Sequence, residues 1–235
     1  MAATPFEVDA LSAQVSRPRR VVIGKCSALK GRLHSVPVLV FISGVGKTNA
    51  AHGTTALLEQ FRPDLFLLTG CGGAYQRSGL VVGDLALASE EIFGDEGVIT
   101  PHGWRSMKYL RLPLLRKTER IYYNRFPIDH KIVARAKKIL QAFRPKTGKF
   151  VTVSQVTGTQ RRAEEMQKRF GAICENMEGA PVAQLCTLYD IPFLEIRGIS
   201  NIVKQRDKRE WNLSAAARIS QEGAKEIMLH WGKTP

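Results

Sequence analysis

At 235 residues and 26.1 kDa the chain is long enough to bury a core without disulfide or metal staples. Its 44% hydrophobic and 24% charged residues exclude a disordered chain and match a soluble globular protein. Thirty-five Lys and Arg against 21 Asp and Glu leave a net charge of +14, but the cations are scattered and lack the interleaved aromatics of a nucleic-acid stacking platform.

No apolar run reaches the roughly 18 residues of a membrane helix. Residues 1–11 lack the basic start and apolar centre of a signal peptide. The expected setting is cytoplasmic, with neither nucleic acid nor membrane as partner. Cys26, Cys71, Cys174 and Cys186 have no zinc-knuckle or CxxC spacing and read as reduced thiols. No metal and no organic cofactor is expected.

In chain order, Thr4-Pro5-Phe6-Glu7 is first a capping box, with Pro5 at the first helical position and Glu7 closing back on Thr4. Residues 21–24 and 37–42 read as strands and 47–61 as a helix. A buried strand over 65–69 ends in a turn, Gly70-Cys71-Gly72-Gly73, and 82–88 is another strand. The spacing of Ile132, Val133, Ala136, Ile139 and Leu140 predicts a helix over 131–143. A strand over 150–153 and a polar helix over 160–170 follow. Residues 178–189 and 211–228 read as helices, and between them a strand over 193–199 ends at Ser200-Asn201. With no linker or repeat, residues 1–235 are expected to form a single domain. The alternation of strand and helix predicts an α/β fold with a central mixed β-sheet flanked by helices. Ligands of such sheets bind past the carboxyl ends of strands, which draws attention to Gly70–Gly73 and Asn201.

Familiar phosphate motifs fail. Ser43-Gly44-Val45-Gly46-Lys47-Thr48 lacks the first glycine of a P-loop, since Phe41 stands there, and the dinucleotide fingerprint fails at Asn49. A glycine turn between strand and helix remains. Glu175-Asn176-Met177-Glu178-Gly179-Ala180-Pro181 sets acidic residues ahead of a helix, where they suit the positive end of its dipole. Glu195 and Arg197 inside an apolar strand are costly unless paired or exposed. Asn201 reads equally as a turn residue or a ligand contact.

Seven segments, in order, resemble the nucleoside phosphorylase and nucleosidase superfamily from residue 3 to about 228. They are AATPFEVDAL (2–11), SGVGKTNAAHG (43–53), TGCGGAY (69–75), GLVVGDLALASEEIFGDEGV (79–98), VTVSQVTGT (151–159), ENMEGAPVAQLC (175–186) and EIRGISNIVKQRD (195–207). Gly94-Asp95-Glu96-Gly97 is most similar to the futalosine hydrolase branch. The resemblance implies a nucleoside phosphorylase-like fold and hydrolysis of futalosine to hypoxanthine and dehypoxanthine futalosine, in menaquinone biosynthesis by the futalosine route. It also implies a small-molecule nucleoside as partner and a homo-oligomer, a dimer or higher. Glu7 matches the carboxylate that activates water, Glu178 the one that holds the ribose hydroxyls, and Met177 the residue packed on the sugar, next to Asn176. Gln155, Val156 and Thr157 fall on the purine wall, and Cys71 with Gly72 near the sugar. Asn201 takes the base-side position. An amide there donates to O6 or N7 of a 6-oxopurine, where adenine-releasing relatives usually carry Asp. The nearest rivals are a purine nucleoside phosphorylase, an adenine-releasing nucleosidase and a non-enzymatic nucleoside-binding or nucleic-acid-binding protein. Of the family's opening strand only residues 1–3 stand here, so either the true start lies upstream or that strand is very short, and Pro181 replaces the family's usual alanine. For the anionic tail of futalosine, Lys47, Arg105 and Lys108 are the candidate cations.

Overall fold

The structure is a computed structural model that describes residues 1–232. After a short 3-10 turn at Pro5–Glu7 comes α1 (Asp9–Ser12), then an antiparallel sheet of β1 (Ser16–Ile23), β2 (Cys26–Leu33) and β3 (Val36–Phe41). The helix α2 (Lys47–Leu58) leads into β4 (Phe66–Tyr75) and β5 (Leu85–Phe93). Two small hairpins follow, β6 (Gly97–Thr100) with β7 (Gly103–Ser106), and, after α3 (Met107–Leu110), β8 (Leu115–Arg116) with β9 (Ile121–Tyr122). The chain continues through β10 (Arg125–Pro127), α4 (His130–Ile139), β11 (Lys146–Thr152), α5 (Gln160–Phe170) and β12 (Ala172–Asn176). It ends with α6 (Gly179–Leu188), β13 (Phe193–Val203) and α7 (Leu213–His230).

The central sheet has the order β10-β5-β11-β12-β4-β13, and a further β5–β13 pairing closes it on itself. It is mixed, as expected: β11 runs parallel to β5 and β12, and β13 to β4, while β12–β4, β10–β5 and β13–β5 are antiparallel. Phe41, Phe66, Leu68, Leu85, Leu87, Phe126, Phe150, Leu194 and Ile196 form its core. Each such side chain contributes about 1.5–3 kcal/mol on burial. The helix α7 lies against β13 and β4 at a point where Gly198 has no room for a side chain, since a Cβ there would stand 2.0 Å from the Ala216 carbonyl oxygen.

Several elements differ from the sequence reading. Gly70–Gly73 is not a turn but the middle of β4, paired with β13 throughout, because glycines tolerate the close approach of Arg197 and Cys174. The strand β13 runs on to Val203, so Asn201 sits within it, opposite Gly73, after a register shift beyond Ile199. Residues 81–84 form a turn closed by Asp84, which accepts the Val81 N–H, and β5 starts only at Leu85. The strand β12 was not expected. Its polar end, Glu175-Asn176, reads as a cap until its buried partners are known. The helix α4 stops at Ile139, and a 3-10 turn takes up Gln141–Phe143.

Residues 1 and 2 bridge the end of β3 and β4. Ala2 pairs in parallel with Ile42, and the Thr69 N–H donates to the Met1 carbonyl. This clamp between β3 and β4 delivers Thr4 and Glu7 to the middle of the molecule.

Candidate active site

Arg197 organises the site. It is 1% exposed on β13, and a cation so deeply buried needs full pairing. Its Nε donates to Glu195 Oε1 at 2.8 Å. Its Nη1 donates to the Cys71 carbonyl at 3.1 Å and to Glu178 Oε2 at 3.2 Å. The other oxygen of Glu178 accepts the Gly46 N–H at 3.0 Å. The glycine turn that fails as a P-loop therefore serves here as the donor that fixes Glu178.

Glu7 arrives from the opposite side. Its Oε2 accepts the N–H and hydroxyl of Thr4, and its Oε1 accepts the Cys71 N–H at 2.8 Å. A Cβ on Gly70 would come within 2.5 Å of that same oxygen, so the glycine is what lets the carboxylate reach β4. Glu7 and Glu178 thus flank Cys71 and share the field of Arg197. Burial, with Glu7 next, pushes the Cys71 thiol up to about 12, so it is a neutral lining group and no nucleophile. Gly72 is buried behind it, and Met177 stands half-buried beside Glu178.

The N-terminus of α6 is built from the network beneath. Asn176 Oδ1 accepts the N–H groups of Glu178 and Gly179 at 3.0 and 2.8 Å, and Thr152 Oγ1 accepts that of Ala180 at 2.7 Å. Asn176 Nδ2 donates to Glu91 Oε1 at 2.6 Å. Asn176 was expected to line the substrate, but both ends of its amide face the protein interior.

At the loop expected to line a purine, Glu175 Oε1 accepts the Thr157 N–H at 2.9 Å, and its Oε2 accepts the Thr157 hydroxyl at 2.6 Å and the Tyr75 phenol at 2.8 Å. Burial and the adjoining carboxylate hold the Tyr75 phenol well above its usual range. With Thr157 anchored inward, Gln155 and Val156 are left exposed on the loop. Asp95 ties that loop to its surroundings, accepting the Ser154 N–H at 2.6 Å and the Lys47 ammonium at 2.6 Å, with Glu96 also on Lys47 at 2.8 Å. Of the cations expected for an anionic tail, Lys47 is therefore held by two carboxylates, while Arg105 and Lys108 are exposed.

Asn201 completes the arrangement. Its Oδ1 accepts the Ser200 hydroxyl at 2.8 Å, and its Nδ2 carries no hydrogen bond among the described residues. A Cβ on Gly73 would sit 3.3 Å from that nitrogen, so the glycine leaves the amide its space.

Sequence reasoning missed Glu91, Thr152, Tyr75 and the Gly46 N–H, and read Glu175 as one of the acidic residues ahead of a helix. Glu91 carries the one signal available, a charged residue inside the apolar run of β5.

Residues 1–229 match the family model of the phosphorylase superfamily. The chain is 33% identical over 222 residues to the 5'-methylthioadenosine/S-adenosylhomocysteine nucleosidase of Geobacillus kaustophilus, covering 92% of this chain and 89% of that protein. It is 33% identical over 190 residues to the futalosine hydrolase of Thermus thermophilus, covering 81% and 80%. Among solved structures, the Neisseria meningitidis 5'-methylthioadenosine/S-adenosylhomocysteine nucleosidase in complex with methylthio-immucillin-A superposes with a TM-score of 0.82 at 25% identity, covering 96% and 95%. The futalosine hydrolase of Helicobacter pylori shares the fold at a TM-score of 0.82 and 22% identity, covering 98% and 95%. The closed mixed sheet, the glycine-rich β4 and the match over nearly the whole chain lead to one conclusion: this chain belongs to the phosphorylase superfamily.

Proposed function

We propose that the protein is a nucleosidase that cleaves the N-glycosidic bond of futalosine with water, releasing hypoxanthine and dehypoxanthine futalosine. In this reading Glu7 takes the proton of a water that attacks the anomeric carbon. Glu178, held by Gly46 and Arg197, binds the ribose hydroxyls and favours the positive charge that builds on the sugar. Met177 packs on the sugar. As the C–N bond breaks, its electron pair stays with the purine, which leaves as an anion and is protonated by a solvent water; the hydroxide this leaves is neutralised by the proton that Glu7 took, so Glu7 is a carboxylate again.

The observation that carries the substrate is Asn201. With Oδ1 engaged by Ser200, the amide presents a donor. A donor suits the O6 and N7 acceptors of a 6-oxopurine, and a site built for one hydrogen-bond pattern rejects the other. The similarity to the Thermus thermophilus enzyme supports the same substrate. A second reading, release of adenine from methylthioadenosine or S-adenosylhomocysteine, is favoured by the longer alignment to the Geobacillus kaustophilus nucleosidase.

The test is product release, followed by chromatography in phosphate-free buffer, from futalosine, aminodeoxyfutalosine, methylthioadenosine, S-adenosylhomocysteine and inosine. We expect hypoxanthine from futalosine, a kcat lower by about 10²–10⁴-fold in Glu7→Gln, and a shift toward the adenine substrates in Asn201→Asp. Adenine release by the wild type would establish the second reading. Turnover that needs added phosphate would make the protein a phosphorylase.

A further inference from the structure

The site rests on a pair of buried carboxyl groups that the reaction itself does not use. Glu91 on β5 and Glu195 on β13 are both 0% exposed. They meet under the first residue of α6: a Cβ on Gly179 would stand 2.1 Å from Glu91 Oε1 and 2.4 Å from Glu195 Oε2. Those two distances leave the two oxygens within about 4.5 Å of each other, shut away from water. Two ionised carboxylates so close and so buried repel strongly, so one of them carries a proton.

The surroundings decide which one. Glu195 Oε1 receives Arg197 Nε and belongs to the cation, whereas its Oε2 is buried and has no hydrogen-bond partner among the described residues, and Glu91 is the carboxyl beside it. Glu91 faces no cation. It accepts from Thr152 Oγ1 at 2.7 Å and from Asn176 Nδ2 at 2.6 Å, both neutral. The remaining titratable groups nearby are Glu178 and Glu7, which already share Arg197, and the buried neutral thiol of Cys174. Three carboxylates already share the one guanidinium, so ionising a fourth beside Glu195 would add repulsion with no further cation to offset it among the described residues. Burial and the adjoining Glu195 push the Glu91 carboxyl well up, while Arg197 pulls against the burial of Glu195.

We propose that Glu91 is a protonated positioning residue: it donates its proton to Glu195 Oε2, which aligns Glu195 on Arg197 and, through Arg197, sets Glu178 for the sugar. The second half rests on the nucleosidase reading above; the first does not. The chain of contacts is continuous, from Thr152 and Asn176 through Glu91, Glu195 and Arg197 to Glu178 and the Cys71 carbonyl. The same Thr152 and Asn176 cap α6, so the proton and the helix that carries Glu178 are held by one network.

Infrared spectroscopy of the wild-type protein without substrate tests the proton directly. A protonated carboxylic acid gives a carbonyl stretch above the amide bands. We expect that band at neutral pH, its loss in Glu91→Gln, and its disappearance in the wild type on alkaline titration. Its absence from the wild type at neutral pH, or its persistence in Glu91→Gln, overturns the proposal. Turnover tests the positioning, on whichever nucleoside is hydrolysed. Glu91→Leu should lower kcat by about 10²-fold, the scale of a misplaced reacting group, and Glu91→Gln should restore most of that loss. The alkaline limb of the wild-type kcat profile should share the midpoint of the infrared titration and be absent from Glu91→Gln. Equal impairment of the two variants, or an alkaline limb unchanged in Glu91→Gln, overturns the positioning role. Should Glu91→Leu fail to fold, the glutamine profile decides. A protein inert on every nucleoside overturns the functional reading, and the infrared band still decides the proton.

Discussion

Glu7 shows how one side chain serves structure and site together. One carboxylate oxygen closes the capping box on Thr4, and the other reaches Cys71 in the middle of β4. The sequence offers the capping role and a functional role as rivals; the geometry gives one oxygen to the cap and the other to the Cys71 N–H at the centre of the candidate site. Glu175 divides itself similarly between Tyr75 and Thr157, and so fixes the loop whose exposed residues are Gln155 and Val156. Tyr75→Phe removes one hydrogen bond from that anchor without changing the core volume. The loop should loosen, and KM should rise by about tenfold with a smaller change in kcat, as steady-state kinetics on the hydrolysed nucleoside will read.

At the scale of elements, the glycines of β4 and β13 decide how closely the layers approach. The strand β4 reads as ending at Gly70 because glycine runs usually mark turns. Here they are flat places in a paired strand, where Cys174, Arg197 and Asn201 press against the backbone. Gly198 performs the same office for α7, which lies on it through the Ala216 carbonyl. That neighbour is helix backbone and cannot swing aside. Gly198→Ala should therefore destabilise the fold by about 3 kcal/mol, a fall in Tm of about 10 °C, measured by thermal unfolding. Exposed Gly103, where a Cβ meets nothing, is the control for the loss of a glycine, although its positive φ adds some strain.

At the scale of the molecule, the buried acids make stability depend on pH. Cys71 is pushed up to about 12 from 9.0, and burial drives Cys174 well above its ordinary value. A raised acid keeps its proton in the folded state while the unfolded chain loses it. The folded state then binds more protons, and its stability declines with rising pH. The contribution is whole below pH 9 and is lost as the pH climbs through the folded values. Urea midpoints should thus drop steadily from pH 9 to pH 11, and Cys174→Ala should flatten that slope even though it costs stability at pH 7. A midpoint that holds constant across the window would refute this assignment. Glu91 works with the same sign from a lower starting pH, since its unfolded value is that of an ordinary glutamate.

The sequence by itself determined the α/β class, the mixed sheet and the superfamily. Periodicity within one element is local, and the motif segments stand in contiguous runs. It also marked Glu195 and Arg197 as a debt to be settled, because a charge in an apolar strand needs a partner somewhere. Only the tertiary structure decided who the partners are. Glu178 is fixed by Gly46, 132 residues away, and Asn176 by Glu91, 85 residues away. No local pattern encodes such distances. They exist because the sheet closes through β5 and β13, bringing two carboxyls, a guanidinium and the start of α6 to one buried point.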